Sequence, residues 1–212
     1  DDYLYLIFDI GVGVIDISVP ATPRFISLYP LLNLSTIAVA DSYLYVSDYS
    51  GNLWLLDRTD STTLVNVAYY PALGYAGGMA IEGKLAYIAH QDVGMRIFEV
   101  GNQGELTPIG VYPLSANVKK ITVVHGYAYL AIGEHGLAIV DVTEPTTPRL
   151  VSRYDTPGDA LDMAVQWPYL VLADGEGGLY VLDVTDPAHP NTVTIYATSD
   201  CVQQVVSANG LI

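Results

Sequence analysis

The sequence predicts an all-β chain of four-stranded antiparallel repeats, the blades of a β-propeller, and three observations carry that prediction. The pattern LAIVD at Leu137 to Asp141 recurs as VGVID (Val12 to Asp16), LWLLD (Leu53 to Asp57), MRIFE (Met95 to Glu99) and LYVLD (Leu179 to Asp183). The terminal acids Asp16, Asp57, Glu99, Asp141 and Asp183 stand 41, 42, 42 and 42 residues apart, and Tyr29, Tyr70, Tyr112, Tyr154 and Tyr196 recur at the same spacings. Each repeat holds four short apolar segments bounded by Gly, Pro, Asn or Asp, the period-2 signature of strands. Units of this length with four strands are the size of propeller blades.

In chain order, the first repeat supplies a second strand at Tyr3 to Phe8, a third at Val12 to Ile17 and an outer one at Arg24 to Tyr29, without an inner strand. Two full repeats follow: Thr36 to Ala40, Tyr43 to Ser47, Asn52 to Leu56 and Leu64 to Tyr70, then Gly78 to Glu82, Leu85 to Ala89, Met95 to Val100 and Thr107 to Tyr112. The fourth comprises Lys120 to Val124, Tyr127 to Ile132, Leu137 to Val142 and Arg149 to Tyr154; the fifth comprises Asp162 to Gln166, Tyr169 to Ala173, Leu179 to Val184 and Thr192 to Tyr196. A last inner segment, Gln204 to Ser207, is expected to pair beside Tyr3 to Phe8 and close five blades, giving one domain over residues 1–212. Such closure removes a hydrophobic sheet edge. The alternative is a fragment of a larger propeller, because Asn209-Gly210 is a turn signal and Leu211-Ile212 reads as the start of another second strand.

Composition excludes some classes of function. Of 212 residues, 51% are apolar, enough for a large core. The 23 acidic and 8 basic side chains give a formal charge of -15, so phosphate backbones and anionic lipid surfaces are repelled and nucleic acid is not an expected partner. No apolar run is long enough to span a bilayer. The single cysteine, Cys201, makes no internal disulfide and leaves the compartment open. A start at Asp1 without methionine or a basic n-region reads as a processed or trimmed chain.

The segments DISVPATP, DVTEPTTP and DVTDPAHP after the third strands read as turns, in which Asp carboxylates accept backbone N–H bonds and prolines stop the ladder. The five tyrosines read as packing groups over blade edges. Calcium is a weak alternative for the acid pairs, since it takes six to eight oxygens and no dense acidic loop is present. No other cofactor or metal is implied, and His90, His125, His135 and His189 lack metal-ligand spacing.

These copies resemble the LVIVD repeat, a β-propeller repeat of bacterial and archaeal cell-surface and secreted proteins, over essentially the whole chain. The resemblance implies a propeller and an extracellular or cell-surface address, and it brings no catalytic residue; a protein or glycan at the cell surface is the expected partner. Copies two and three depart from it at Arg58, Gly101 and Glu99. Propeller ligands sit over the central channel, among the loops joining second to third and outer to inner strands. The candidate ligand-binding residues there are Asp48, His90, Lys119, Lys120, Glu134, His135, Asp162 and Asp174. They are expected on one face, with Lys120 able to pair with Asp162.

The leading functional reading is a non-enzymatic secreted or cell-surface binding or assembly module, with no catalytic residues. Two alternatives stand beside it. One is a carbohydrate-active enzyme using Asp48, Glu134, Asp174 and Glu176 on solvated loops as paired carboxylates. The other is a structural subunit of an extracellular layer or filament.

Overall fold

A computed structural model describes residues 2–71, 76–90 and 93–206. Among them are nineteen strands and no helix. Blade one is β1 (Tyr3–Phe8), β2 (Gly11–Asp16) and β3 (Arg24–Pro30); blade two is β4 (Leu34–Ala40), β5 (Tyr43–Asp48), β6 (Leu53–Asp57) and β7 (Val65–Tyr70). Blade three is β8 (Ala76–Glu82), β9 (Leu85–His90), β10 (Gly94–Val100) and β11 (Leu106–Pro113). Blade four is β12 (Lys120–Val124), β13 (Tyr127–Ala131), β14 (Leu137–Asp141) and β15 (Arg149–Tyr154), and blade five is β16 (Asp162–Gln166), β17 (Tyr169–Ala173), β18 (Leu179–Asp183) and β19 (Asn191–Tyr196). Every sheet keeps sequence order, as the strand pattern requires.

The first sheet has three strands; of the segment Gln204 to Ser207 expected to join it, residues 204–206 carry no strand and Ser207 lies outside the described residues. The Val202 N–H donates to the Gly175 carbonyl at 3.0 Å and the Val205 N–H to the Asp162 carboxylate at 3.1 Å, so this segment is held by blade five. Asn209-Gly210 and Leu211-Ile212 also lie outside the described residues.

Packing groups the chain into two compact units, one running to Ala76 and including Val100–Thr107, the other made of Gly77–Glu99 and Pro108 onward. In the first, Val12 and Val14 of blade one meet Leu34, Leu44, Val46 and Leu56 of blade two in one apolar layer. In the second, one layer joins Met95 and Ile97 of blade three to Leu130, Ala138 and Val140 of blade four, and another joins Tyr129, Leu137 and Ile139 of blade four to Leu170, Leu172 and Leu182 of blade five. At about 1.5–3 kcal/mol for each large apolar side chain removed from water, these layers are the main stabilising term.

A bulge repeats in the outer strands. Registers slip between Val14/Ile15, Leu55/Leu56, Ile139/Val140 and Val181/Leu182, leaving Ile26, Val67, Val151 and Val193 as the extra residues opposite them. A bulge bends its strand and re-aims the next side chain. The residue after it reaches the next blade's turn: the Ser27 hydroxyl donates to the Thr62 carbonyl and the Ser152 hydroxyl to the Pro187 carbonyl, both at 2.6 Å. Gly110 occupies the same place in blade three, where a Cβ would lie 2.0 Å from the Pro145 carbonyl oxygen.

The turn chemistry follows the sequence. Asp16, Asp57, Asp141 and Asp183 each accept the N–H two residues on, at 2.6–2.9 Å. These bonds, first from the Ser or Thr side chain and then from the backbone, hold the four carboxyl groups below their ordinary range. Asp60 and Asp186 do the same one turn later, toward Thr62 and Ala188. Arg58 does not break its turn, because Asp57 still binds the Thr59 N–H, and the guanidinium instead lies over the Tyr5 ring at 5.3 Å. Gly101 makes a different turn, with its N–H on the Glu105 carbonyl at 2.8 Å.

Tyr70 accepts the Leu106 N–H at 2.8 Å, and Tyr154 hydrogen-bonds Thr192 and meets Tyr180 edge-on at 6.4 Å. Tyr29, Tyr70, Tyr112 and Tyr154 are thus packing or capping groups, whereas Tyr196 is exposed. Their carbonyls also explain why the third strand opens on glycine: at Gly11, Gly94, Gly136 and Gly178 φ is positive, and a Cβ would come within 2.1–2.5 Å of the carbonyl oxygen of Tyr29, Tyr112, Tyr154 or Tyr196.

A second tyrosine series, Tyr45, Tyr87 and Tyr129, is fully buried in the second strands, and burial pushes each hydroxyl up to about 12. Tyr45 donates to the Gly104 carbonyl at 3.0 Å, whereas the Tyr129 hydroxyl has no partner among the described residues. Two substitutions of one kind are therefore expected to act in opposite directions. Tyr45→Phe should destabilise by about 1 kcal/mol, by stranding a buried carbonyl, and Tyr129→Phe should stabilise by a similar amount, by removing an unsatisfied hydroxyl. Urea unfolding of the two variants beside the parent chain checks this, and equal losses would contradict it.

Candidate functional site

The candidate residues occupy equivalent ends of their blades, where the second strand turns into the third and the preceding outer strand enters. Asp48 ends β5, His90 ends β9, Glu134 and His135 lie in the β13–β14 loop, and Asp174 follows β17. Lys119 precedes β12, while Lys120 and Asp162 open β12 and β16.

The structure brings three of them together. Lys119, Glu134 and His135 line a cavity of about 380 Å³ with Ser115, Asn117 and Asp159. Its walls are fixed by backbone bonds. Gly133 and Ala160 exchange N–H bonds at 3.0 and 3.2 Å, the Lys119 N–H donates to the Ala131 carbonyl at 2.8 Å, and the Ile132 N–H donates to the Gly136 carbonyl at 2.8 Å. Gly133 lets the walls close up, since a Cβ there would sit 2.9 Å from the Asp159 carboxylate. The side chains of Glu134 and His135 stand exposed at the mouth.

Beside this cavity Lys120 and Asp162 form the expected ion pair, Nζ to Oδ1 at 3.3 Å, with the lysine side chain half exposed and the carboxylate largely buried. The other Asp162 oxygen takes the Val205 N–H, so this aspartate joins two successive blade entries. Lys120 is therefore engaged within the fold, and Lys119 is the lysine that lines the cavity.

Asp48 and Asp174 correct the expectation of solvated acids: both are buried. Asp48 accepts the Ser50 and Asn52 N–H groups at 2.9 and 2.8 Å and the Asn52 side-chain amide at 2.8 Å, closing its own hairpin. Asp174 accepts the Thr156 hydroxyl at 2.5 Å and the Gly158 N–H at 2.9 Å, clamping the chain that enters blade five. Burial raises the Asp174 carboxyl above its ordinary range, against the lowering effect of those two donors. His90 is likewise buried at the end of β9. The other residues of its loop, Gln91 and Asp92, lie outside the described residues.

Similar cavities recur in register. One is lined by Glu176, Thr198, Ser199, Asp200 and Cys201, and one in the first unit by Ile7, Phe8, Asp9, Asn33, Leu34 and Tyr49. Asp159, Ser115 and Asn117 were not singled out from sequence, although their loops were. The signal available was positional, because the Gly133–Ala160 bridge is repeated 42 residues on as Gly175–Val202.

The profile of the LVIVD repeat matches residues 1–30, 73–112, 116–156 and 157–198, well over half of the chain. The chain belongs to the LVIVD-repeat family. The matched LVIVD segments pass over residues 31–72, yet blade two there folds with the same four strands and the same bulge. No curated protein matches. Among solved structures, the computationally designed Ika8 protein aligns at 10% identity and a TM-score of 0.73, over 99% of this LVIVD-repeat chain and 63% of its own. A protein from Lactobacillus plantarum aligns at 15% identity and a TM-score of 0.77, over 93% and 68%. At these identities the likeness is one of fold. This chain spans less than two thirds of the designed protein's length.

Asp174 yields a prediction with a definite sign. Its folded pKa is raised, so the ionised form costs stability above that pKa, and the cost is relieved as pH falls through it toward the ordinary carboxylate value. Asp174→Asn removes that titration. The stability of the parent chain relative to the Asn variant should thus increase on acidification from pH 7 to pH 4. Asp174→Ala strands the Thr156 hydroxyl and Gly158 N–H and should cost about 1–3 kcal/mol at pH 7. Denaturant unfolding across that pH range tests both.

Proposed function

We propose that this LVIVD-repeat chain is a non-enzymatic binding module of the secreted or cell-surface kind, and that it takes a hydroxyl-rich glycan in the cavity of Lys119, Glu134 and His135. The observation that carries the reading is the cavity itself. A lysine, a histidine, two carboxylates, a serine and an asparagine converge on about 380 Å³ whose walls are fixed by backbone hydrogen bonds. Closely spaced donors and acceptors of both signs match the alternating hydroxyls of a saccharide better than they match an apolar ligand or a polyanion.

A binding role is favoured over glycoside hydrolysis because two of the four carboxylates considered for it, Asp48 and Asp174, are buried in hairpin and clamp hydrogen bonds. A hydrolase needs its acid and its base or nucleophile to reach opposite sides of one glycosidic bond. An extracellular address agrees with an acidic, lysine-poor composition, which favours solubility without attraction to anionic surfaces.

The test is a microarray of bacterial surface glycans probed with the intact chain and with a Lys119→Ala/His135→Ala variant. Binding to a defined set of saccharides is expected, with at least a tenfold loss in the variant and an unchanged melting temperature. Retention of no glycan, or equal binding by both proteins, would remove the proposal. Release of reducing sugar from a bound glycan would favour the hydrolase instead.

A further inference from the structure

We infer that the sugar unit seated in the Lys119–Asp159 cavity is zwitterionic, with an amine and a carboxylate on neighbouring ring positions, the carboxylate meeting Lys119 and His135 and the amine meeting Asp159 and Glu134. This rests on the glycan reading above and narrows its ligand class. Every residue that lines the cavity belongs to the second compact unit.

The fold brings opposite charges close here and leaves them unpaired. The place a Cβ of Gly133 would occupy is 2.9 Å from Asp159 Oδ1 and 3.7 Å from Lys119 Cε, so the acid and the lysine converge on one point of the wall. Glu134 and His135 follow Gly133 in the chain and stand exposed at the mouth. Among the described residues none of these four makes an ion pair, although Lys120 next to them is paired with Asp162 at 3.3 Å. Their backbone is pinned by the Lys119–Ala131 and Gly133–Ala160 hydrogen bonds, so both signs of charge are presented to whatever enters.

The same register one blade on lacks this set. At a distance of 42 residues Lys119, His135 and Asp159 give way to Leu161, Gly177 and Cys201, and only Glu134 recurs, as Glu176. Residues that serve the blade itself recur with it, as the outer-strand tyrosines do. The lysine, the imidazole and Asp159 belong to this one cavity.

Asp159 marks the side of the amine. Burial raises the carboxyl of the neighbouring Asp174, and the charges of Asp159 and Asp155 raise it further, so negative charge accumulates on this wall and an ammonium there offsets it. Lys119 and His135 donate to the carboxylate in charge-assisted hydrogen bonds, which are stronger than neutral ones. A neutral sugar that displaces water from the cavity leaves both signs unmatched, and a singly charged one leaves one unmatched, so selectivity comes from mismatch as much as from match. The net charge of -15 attracts a cationic sugar and repels an anionic one, whereas a net-neutral ligand should bind with the least dependence on salt.

The experiment is an NMR titration of the intact chain with four related sugars. Muramic acid carries both charges, N-acetylmuramic acid the carboxylate alone, glucosamine the amine alone and N-acetylglucosamine neither. Muramic acid should bind about tenfold or more tightly than any of the others. Lys119→Met should reduce its affinity to that of glucosamine, and Asp159→Asn to that of N-acetylmuramic acid. Glu134→Gln, at the exposed mouth, replaces Asp159→Asn if that variant loses the parent's melting temperature. Equal binding of the four sugars would overturn the inference and leave the glycan reading standing, as would a variant that keeps the advantage it should lose. Binding of none of them by a chain that still retains array glycans would overturn the inference alone, and binding of neither would overturn both. Alanine, with both charges and no ring, is the control: affinity equal to that of muramic acid would overturn the assignment to a sugar.

Discussion

Each blade is a thin sheet that must be buried on both faces, and this one constraint governs the rest of the structure. The middle strands show it directly. β5, β9, β13 and β17 are buried at nearly every position, while the outer strands β7, β15 and β19 are largely exposed. A strand covered on both sides cannot alternate between polar and apolar residues, so the second and third strands read as continuous apolar runs such as LAIVD. Mean hydropathy is positive for the same reason, although no helix among the described residues is long and apolar enough to cross a membrane.

Continuous apolar strands leave little room for polar specificity within the layers, so registration between blades falls to a few hydrogen bonds at their rims. The outer-strand bulge supplies one set, aiming Ser27 and Ser152 at the turn carbonyls of the following blades. The entry bridges Gly133–Ala160 and Gly175–Val202 supply another, at the opposite end of the strands. Both sets tie a blade to its successor rather than to itself. A bond that fixes where one sheet lies on the next adds direction to an apolar contact that has none of its own.

The fold was legible because repetition averages out local ambiguity: five copies agreeing on the spacing of the terminal acid, the tyrosine and the strands leave little freedom, and even blade two, with LWLLD and Arg58, keeps the register. What the sequence could not show is which repeated polar residues face inward. Asp48 and Asp174 look like loop acids, flanked by Tyr49-Ser50-Gly51 and Gly175-Glu176-Gly177, yet their carboxylates turn back onto local amides and hydroxyls and are buried. Alternation at Gln204 to Ser207 suits a strand, and in the structure the Val202 and Val205 N–H groups beside and within it are bound by Gly175 and Asp162. Lys120 and Asp162 were legible because opposite charges at one register position in adjacent repeats meet wherever the blades stack.

The position of the cavity follows from a departure from that repetition. In blades two and five an aspartate at the end of the second strand is followed three residues on by glycine: Gly51 after Asp48, with φ at 82°, and Gly177 after Asp174, whose carboxylate lies 2.0 Å from where a Cβ would be. In blade five the buried acid and a side chain at that loop position exclude each other. Blade four has Ile132 in place of the acid, packed into the apolar layer with blade three, and the third residue on is then free to be His135. Replacing one buried carboxylate by an aliphatic side chain thus converts a closed hairpin into one that projects an imidazole beside Lys119 and Asp159. The architecture resides in the positions the blades share, and the chemistry of this surface in a position where the blades differ.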